Sequence, residues 1–144
     1  MMTYRFLEHI ATADVAFEAY GTTREELFIS CAEALLHTMV HQLEDVERVQ
    51  EEIIKLEHTD LDLLLYSFLE ELVFQKDARQ LLLHADVVRI EEADDILRLE
   101  AVTSGEKIAP QRHRLVVDVK AVTLHHFQVV QEEDGWRATV VLDI

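Results

Sequence analysis

The sequence predicts an α+β fold: two helices packed on one face of a mostly antiparallel, mixed β-sheet, in a single two-layer domain over residues 1–144. Three observations carry this reading. Two stretches repeat apolar residues at helical spacing. Around them run segments that alternate apolar and polar residues and end in turn-forming clusters. The composition, 144 residues with 49% hydrophobic but only three Gly and one Pro, suits one buried core and not a disordered chain. Two helices on one sheet face is the economical way to bury such a pattern.

Taken in order, Tyr4–Glu8 reads as a short edge strand. Asp14–Tyr20 is the next, with Val15, Phe17 and Ala19 alternating against Ala16, Glu18 and Tyr20, and Gly21 ends it. Asp14 opens that strand, where a carboxylate costs strand propensity. It either caps the turn through local hydrogen bonds or forms one arm of a cation site. Thr23-Arg24-Glu25-Glu26 is a capping box, and the helix behind it, running to about His41, puts Leu27, Phe28, Cys31, Leu35 and Met39 on one face. An acidic connection, Leu43–Gln50, leads to a strand over Glu51–Glu57. Thr59 and Asp60 are good N-cap types for a helix from Leu61. Its stripe of Leu61, Leu64, Leu65, Phe68, Leu69 and Leu72 marks it as the more buried of the two, with Asp62 and Glu70-Glu71 on the wet side.

Beyond Asp77 the pattern turns to strands. Leu81–Glu91 and Ile96–Thr103 form a hairpin around Ala93-Asp94-Asp95. Ser104–Arg112, with Gly105 and Pro110, reads as a loop. Leu115–Val122 alternates like a strand, Phe127–Val130 is another, and Trp136–Leu142 follows the turn Glu133-Asp134-Gly135.

Thirteen basic against 29 acidic residues give a net charge of −16. Such a surface repels phosphate backbones, so direct nucleic-acid binding is not expected. Basic protein surfaces and divalent cations are the natural partners, and the charge also keeps the chain soluble. No apolar run is long enough to cross a bilayer, Met1–Arg5 starts no signal peptide, and a single cysteine fits a reducing interior, so no membrane and a cytoplasmic location are expected. Cys31 lies on an apolar helix face, which suits a buried, inert thiol. There is no Gly-rich phosphate loop, no nucleophile elbow and no Cys–His pairing in a motif context. The pattern carries no indication of oligomeric state.

Eight histidines invite a zinc reading. His125-His126 is a poor chelate on a strand, because neighbours point to opposite faces. His37 and His41 have helical i,i+4 spacing but lack the accompanying pattern of a zinc helix. At the other end of the chain, Asp143 points away from the inward set Trp136, Ala138, Val140 and Leu142. With the terminal carboxylate one residue on, it offers two hard oxygen donors, which need a counter-charge or a third ligand. Lys120 is the odd basic residue of its strand and has Asp118 two residues back on the same face.

Several blocks, in order, are similar to the archease family: Glu8-His9 with Thr12-Ala13-Asp14 and Ala19-Tyr20-Gly21; Gly105-Glu106-Lys107 with Pro110 and Arg112-His113; Val119-Lys120-Ala121-Val122-Thr123 with His125; and Trp136-Arg137-Ala138 with Leu142-Asp143-Ile144. The chain departs from the usual form by carrying Ile10-Ala11 between His9 and Thr12, and by Ile108 and Leu124 where many relatives have aromatic residues. The resemblance implies the two-layer α+β fold and a non-enzymatic accessory role. Its partner would be an RtcB-type, GTP- and manganese-dependent RNA ligase that seals tRNA exon halves, and the chain would promote guanylate loading and repeated turnover. It implies that Asp14, Asp143 and Ile144 hold a divalent metal ion, with calcium first and magnesium or manganese as alternatives. It places Lys120 on the functional surface; His9 and His113 fall in the matched blocks and would brace the site or meet the partner. Two readings of other classes stand beside it: a small metal-dependent hydrolase built on Asp14, Asp143 and a nearby His, and a non-catalytic acidic adaptor.

Overall fold

Alternation and turn chemistry here build two sheets. The computed structural model describes residues 3–7 and 14–144. In chain order the elements are β1 (Thr3–Leu7), β2 (Asp14–Gly21), α1 (Arg24–Met39), a 3-10 turn at Leu43–Asp45, β3 (Gln50–His58), α2 (Leu61–Arg79), β4 (Leu81–Ala93), β5 (Ile96–Lys107), β6 (Ala121–Glu132) and β7 (Gly135–Asp143). One sheet has the order β1-β2-β7-β6 and the other β3-β5-β4. Every pairing among the described residues is antiparallel, so the expected single mixed sheet resolves into two antiparallel ones within the α+β class.

The helices join the two sheets. α1 packs on β2 and β7 of the first and on β4 of the second, while α2 packs on β6 of the first and on β3, β4 and β5 of the second. The core is therefore one cluster. Phe17, Ala138, Val140 and Leu142 enter it from the first sheet, Ile54, Val88 and Leu99 from the second, and Phe28 and Phe68 from the helices. The last two stack with ring centroids 5.9 Å apart. Each of these side chains other than Ala138 contributes about 1.5–3 kcal/mol by leaving water.

The capping box is present in a shifted form. Thr23 Oγ1 accepts from the Glu26 N–H at 3.1 Å, and the Glu26 carboxylate accepts from the Thr22 N–H at 2.8 Å, one residue earlier than the reciprocal partner of the standard motif. Contrary to expectation, α1 is the more buried helix, with ten of its 16 residues inside against seven of 19 in α2. Small residues such as Ser30, Ala32 and Ala34 let α1 approach both sheets closely, which a Leu count does not reveal. The β4–β5 hairpin turns through Asp94 and Asp95 at φ 54° and 63°, the left-handed pair that suits strand twist.

Three strand expectations need correction. β5 continues through Ser104 to Lys107, where the sequence predicts a loop. Gly105 permits this, because a Cβ at that position would lie 1.7 Å from the Leu82 carbonyl oxygen. Residues 115–120 form no regular strand. Leu115 bridges only Val40, with Val116 N–H donating to Met39 O at 2.9 Å. β6 is one strand whose ladder to β7 is interrupted between Thr123 and Gln128. His126 sits in that interruption at φ 56°, so the His125 and His126 rings lie side by side, 4.0 Å between centroids, and not on opposite faces. α1 also ends before His41, and His37 pairs its Nδ1 with the Tyr4 hydroxyl at 3.0 Å.

Candidate functional site at the Asp14–Asp143 end of the first sheet

β2 and β7 pair over eight positions, from Gly21 with Trp136 to Asp14 with Asp143. Two acids 129 positions apart in sequence are thus direct cross-strand partners, which no local pattern reveals. Their Cβ atoms are about 4.5–5.5 Å apart by the geometry of such pairs, and like charges directly opposite each other destabilise a sheet. Four residues along β2 and on the same face, Glu18 instead lies opposite Arg5 and Thr139 and pairs with arginines, Arg5 at 2.7 Å and Arg137 at 3.3 Å. A Tyr20 hydroxyl bond and the Arg5 contact hold the Glu18 carboxyl below its ordinary value, against the opposing effect of burial. Among the described residues no such ion pair reaches Asp14 or Asp143.

The donor set fits a hard cation. Both side chains are carboxylates, and one ion with oxygen ligands at about 2.3–2.6 Å could be shared by an adjacent pair. Among the described residues no cluster of three or more His, Cys, Asp or Glu side chains is gathered. Ile144 follows directly and packs partly against the core. Asp14 also borders an open cleft of about 350 Å³ with Phe6, Val15, His37 and Val116.

Lys120 is brought to the same end by its backbone: its N–H donates to the Asp143 carbonyl at 2.8 Å, just before Ala121 pairs with Asp143 in β6. Asp118 does not neutralise Lys120; it pairs with Lys76 of α2 at 2.5 Å. His113 is elsewhere and inside, 1% exposed. Its Nδ1 accepts from the Ala109 N–H at 2.9 Å and its Nε2 donates to Glu106 at 3.0 Å, which is the arrangement of a neutral, Nε2-protonated ring. Glu106 also accepts from the Glu47 N–H at 2.6 Å and binds Arg112. Burial alone would raise this carboxyl, but the three donors hold it down to about 2. The Glu106–His113 pair therefore ties residues 109–113 and 47 to β5. His9 and the Ile10-Ala11 pair lie outside the described residues. Lys76 and Glu106 were not apparent as site-supporting residues in the sequence; for Glu106 the only signal was its place in the Gly105-Glu106-Lys107 block.

Comparison with known proteins bears on the family and the fold. Residues 4–144 match the model of the Archease protein family. The protein archease of Pyrococcus furiosus is 38% identical over 145 residues, covering 100% of both chains. That of Methanosarcina mazei is 34% identical, covering 98% of this chain and 95% of its own. The solution structure of protein 1598 of Methanobacterium thermoautotrophicum superposes with a TM-score of 0.85 at 34% identity, covering 98% of each chain. The crystal structure of a Thermotoga maritima protein described as an archease and possible chaperone shares the fold, with a TM-score of 0.62 at 19% identity over 96% of this chain and 94% of its own.

Proposed function

This chain belongs to the Archease protein family, and on that premise we propose that it is a non-enzymatic protein cofactor of an RtcB-type, GTP-dependent RNA ligase. It acts in the cytoplasm on tRNA splicing and RNA repair, promoting ligase guanylylation and repeated turnover. The observation that carries this reading is the pairing of Asp14 with Asp143 in the β2–β7 register. Asp14 and Asp143, with Ile144, hold a divalent ion, calcium in the first instance. When bound, such an ion supplies positive charge for phosphate oxygens. Lys120, whose main chain meets the end of β7, belongs to the same functional surface, and the −16 charge favours docking on a basic, RNA-binding face of the ligase.

Calcium titration of the purified chain by calorimetry tests the ion site. The wild type should take up calcium, and Asp14→Asn or Asp143→Asn should weaken uptake by about tenfold or more, since each removes one of few charged ligands. Equal affinity in all three proteins would remove the ion from the account. A ligase contact that weakens with salt but ignores chelator would point to the acidic adaptor instead. Turnover of a substrate by the chain alone would point to the hydrolase.

A further inference from the structure

The segment 118–122, which delivers Lys120 to the end of β7, has no regular strand of its own before Ala121. Something else must fix it. Val119 and Val122 are buried at 0% and 2% exposure, but apolar burial alone does not set a strand's position along its length. α2 does so with two polar side chains. Lys76, 5% exposed, spends its three N–H donors on Asp118 at 2.5 Å, Val119 O at 2.6 Å and Asp77 at 2.5 Å. Glu70 accepts from the Val122 N–H at 2.8 Å. Six residues of helix rise about 9 Å, and the three steps from Val119 to Val122 reach up to about 10 Å. The two anchors are therefore in step. Between them the Lys120 N–H reaches the Asp143 carbonyl at 2.8 Å.

A buried ammonium is costly unless its donors are all satisfied. A residue needed only to fill space there would be apolar. We propose that Lys76 is a positioning residue: together with Glu70 it clamps residues 118–122 to α2, and so fixes the Lys120 main chain and the end of β7 that carries Asp143. This rests on the functional reading above for its consequence, since the clamp sets the geometry of the Asp14–Asp143 pair without touching it. Loss of the clamp should loosen that end of the sheet while the rest of β7 stays paired.

The test uses the full chain in four forms: wild type, Lys76→Met, Lys76→Arg, and Leu99→Ala, which opens a cavity in the other sheet. Amide hydrogen exchange reads the Lys120 N–H relative to the Val140 N–H in the middle of β7. Lys76→Met should speed Lys120 exchange by about tenfold over Val140. Lys76→Arg should restore most of the protection, and Leu99→Ala should leave the ratio unchanged even though it lowers the melting temperature. An unchanged ratio in Lys76→Met overturns the clamp. Calcium titration of the same set reads the consequence: a threefold or greater weakening in Lys76→Met, rescued by Lys76→Arg and absent in Leu99→Ala, supports the positioning role. Weakening in Leu99→Ala as strong as in Lys76→Met reduces it to general stability and overturns it. If wild type takes up no calcium, the functional reading falls, while the exchange ratio still decides the clamp.

Discussion

Gly105→Ala is the substitution whose cost the geometry states most sharply. A Cβ built on Gly105 lies 1.7 Å from the Leu82 carbonyl oxygen, 2.8 Å from its carbonyl carbon and 3.0 Å from the Leu83 Cα. All three are main-chain atoms of β4, so no side chain can swing aside. Relief requires β4 and β5 to separate locally, which strains the pairs Leu83–Gly105 and Leu82–Glu106. It also disturbs the Val49 N–H to Gly105 O bond, 3.0 Å long. Overpacking of this kind costs about 3 kcal/mol. At this chain length that corresponds to a drop in melting temperature of roughly 6–12 °C. Denaturant unfolding with an unchanged slope would show that stability alone has moved. A loss within about 0.5 kcal/mol of wild type, the range of an ordinary surface change, would refute the close approach of the two strands.

Three further outcomes follow from single groups. Glu106 is held at about 2 against an ordinary 4.5. The unfolded chain takes the proton first, so this stabilisation is full above about pH 5 and lost as pH falls toward 2. Unfolding free energies from urea denaturation across that window should fall less for Glu106→Gln than for wild type, by about 1–2 kcal/mol; equal pH dependence would contradict the network. Asp95→Gly should raise the melting temperature, because Asp95 sits at φ 63° and glycine removes a left-handed cost of about 1 kcal/mol; a lower value would count against the turn geometry. Thr23→Ala removes the hydroxyl that accepts from Glu26 and should cost about 1 kcal/mol in a denaturation experiment; no change would mean the cap does not hold α1.

Local chemistry was legible in the sequence and long-range pairing was not. The Thr23 cap, the Asp94-Asp95 turn and both helix faces follow from residues within a few positions of one another. Alternation over Leu115–Lys120 predicts a strand but cannot name a hydrogen-bond partner, and the partners there turn out to be Val40, Met39 and α2, with no regular strand. His125-His126 misled because a period-two rule fails where a ladder is interrupted. Glu70 reads as a wet-side residue because its partner, the Val122 N–H, is 52 residues away. At the site itself, Asp14 and Asp143 stood out as acids in strand context. Their meeting depends on β7 running beside β2, a fact of topology that enters only through the fold.

The most direct test of the account is guanylylation of a cognate RtcB-type ligase with GTP, with the chain present in substoichiometric amount, comparing wild type with Asp14→Ala and Asp143→Ala. The account predicts many guanylylated ligase molecules per wild-type molecule and little stimulation by either variant, with all three proteins folded. Stimulation by the variants equal to wild type would contradict the acidic end as the working part, and no stimulation by wild type would contradict the proposed function itself.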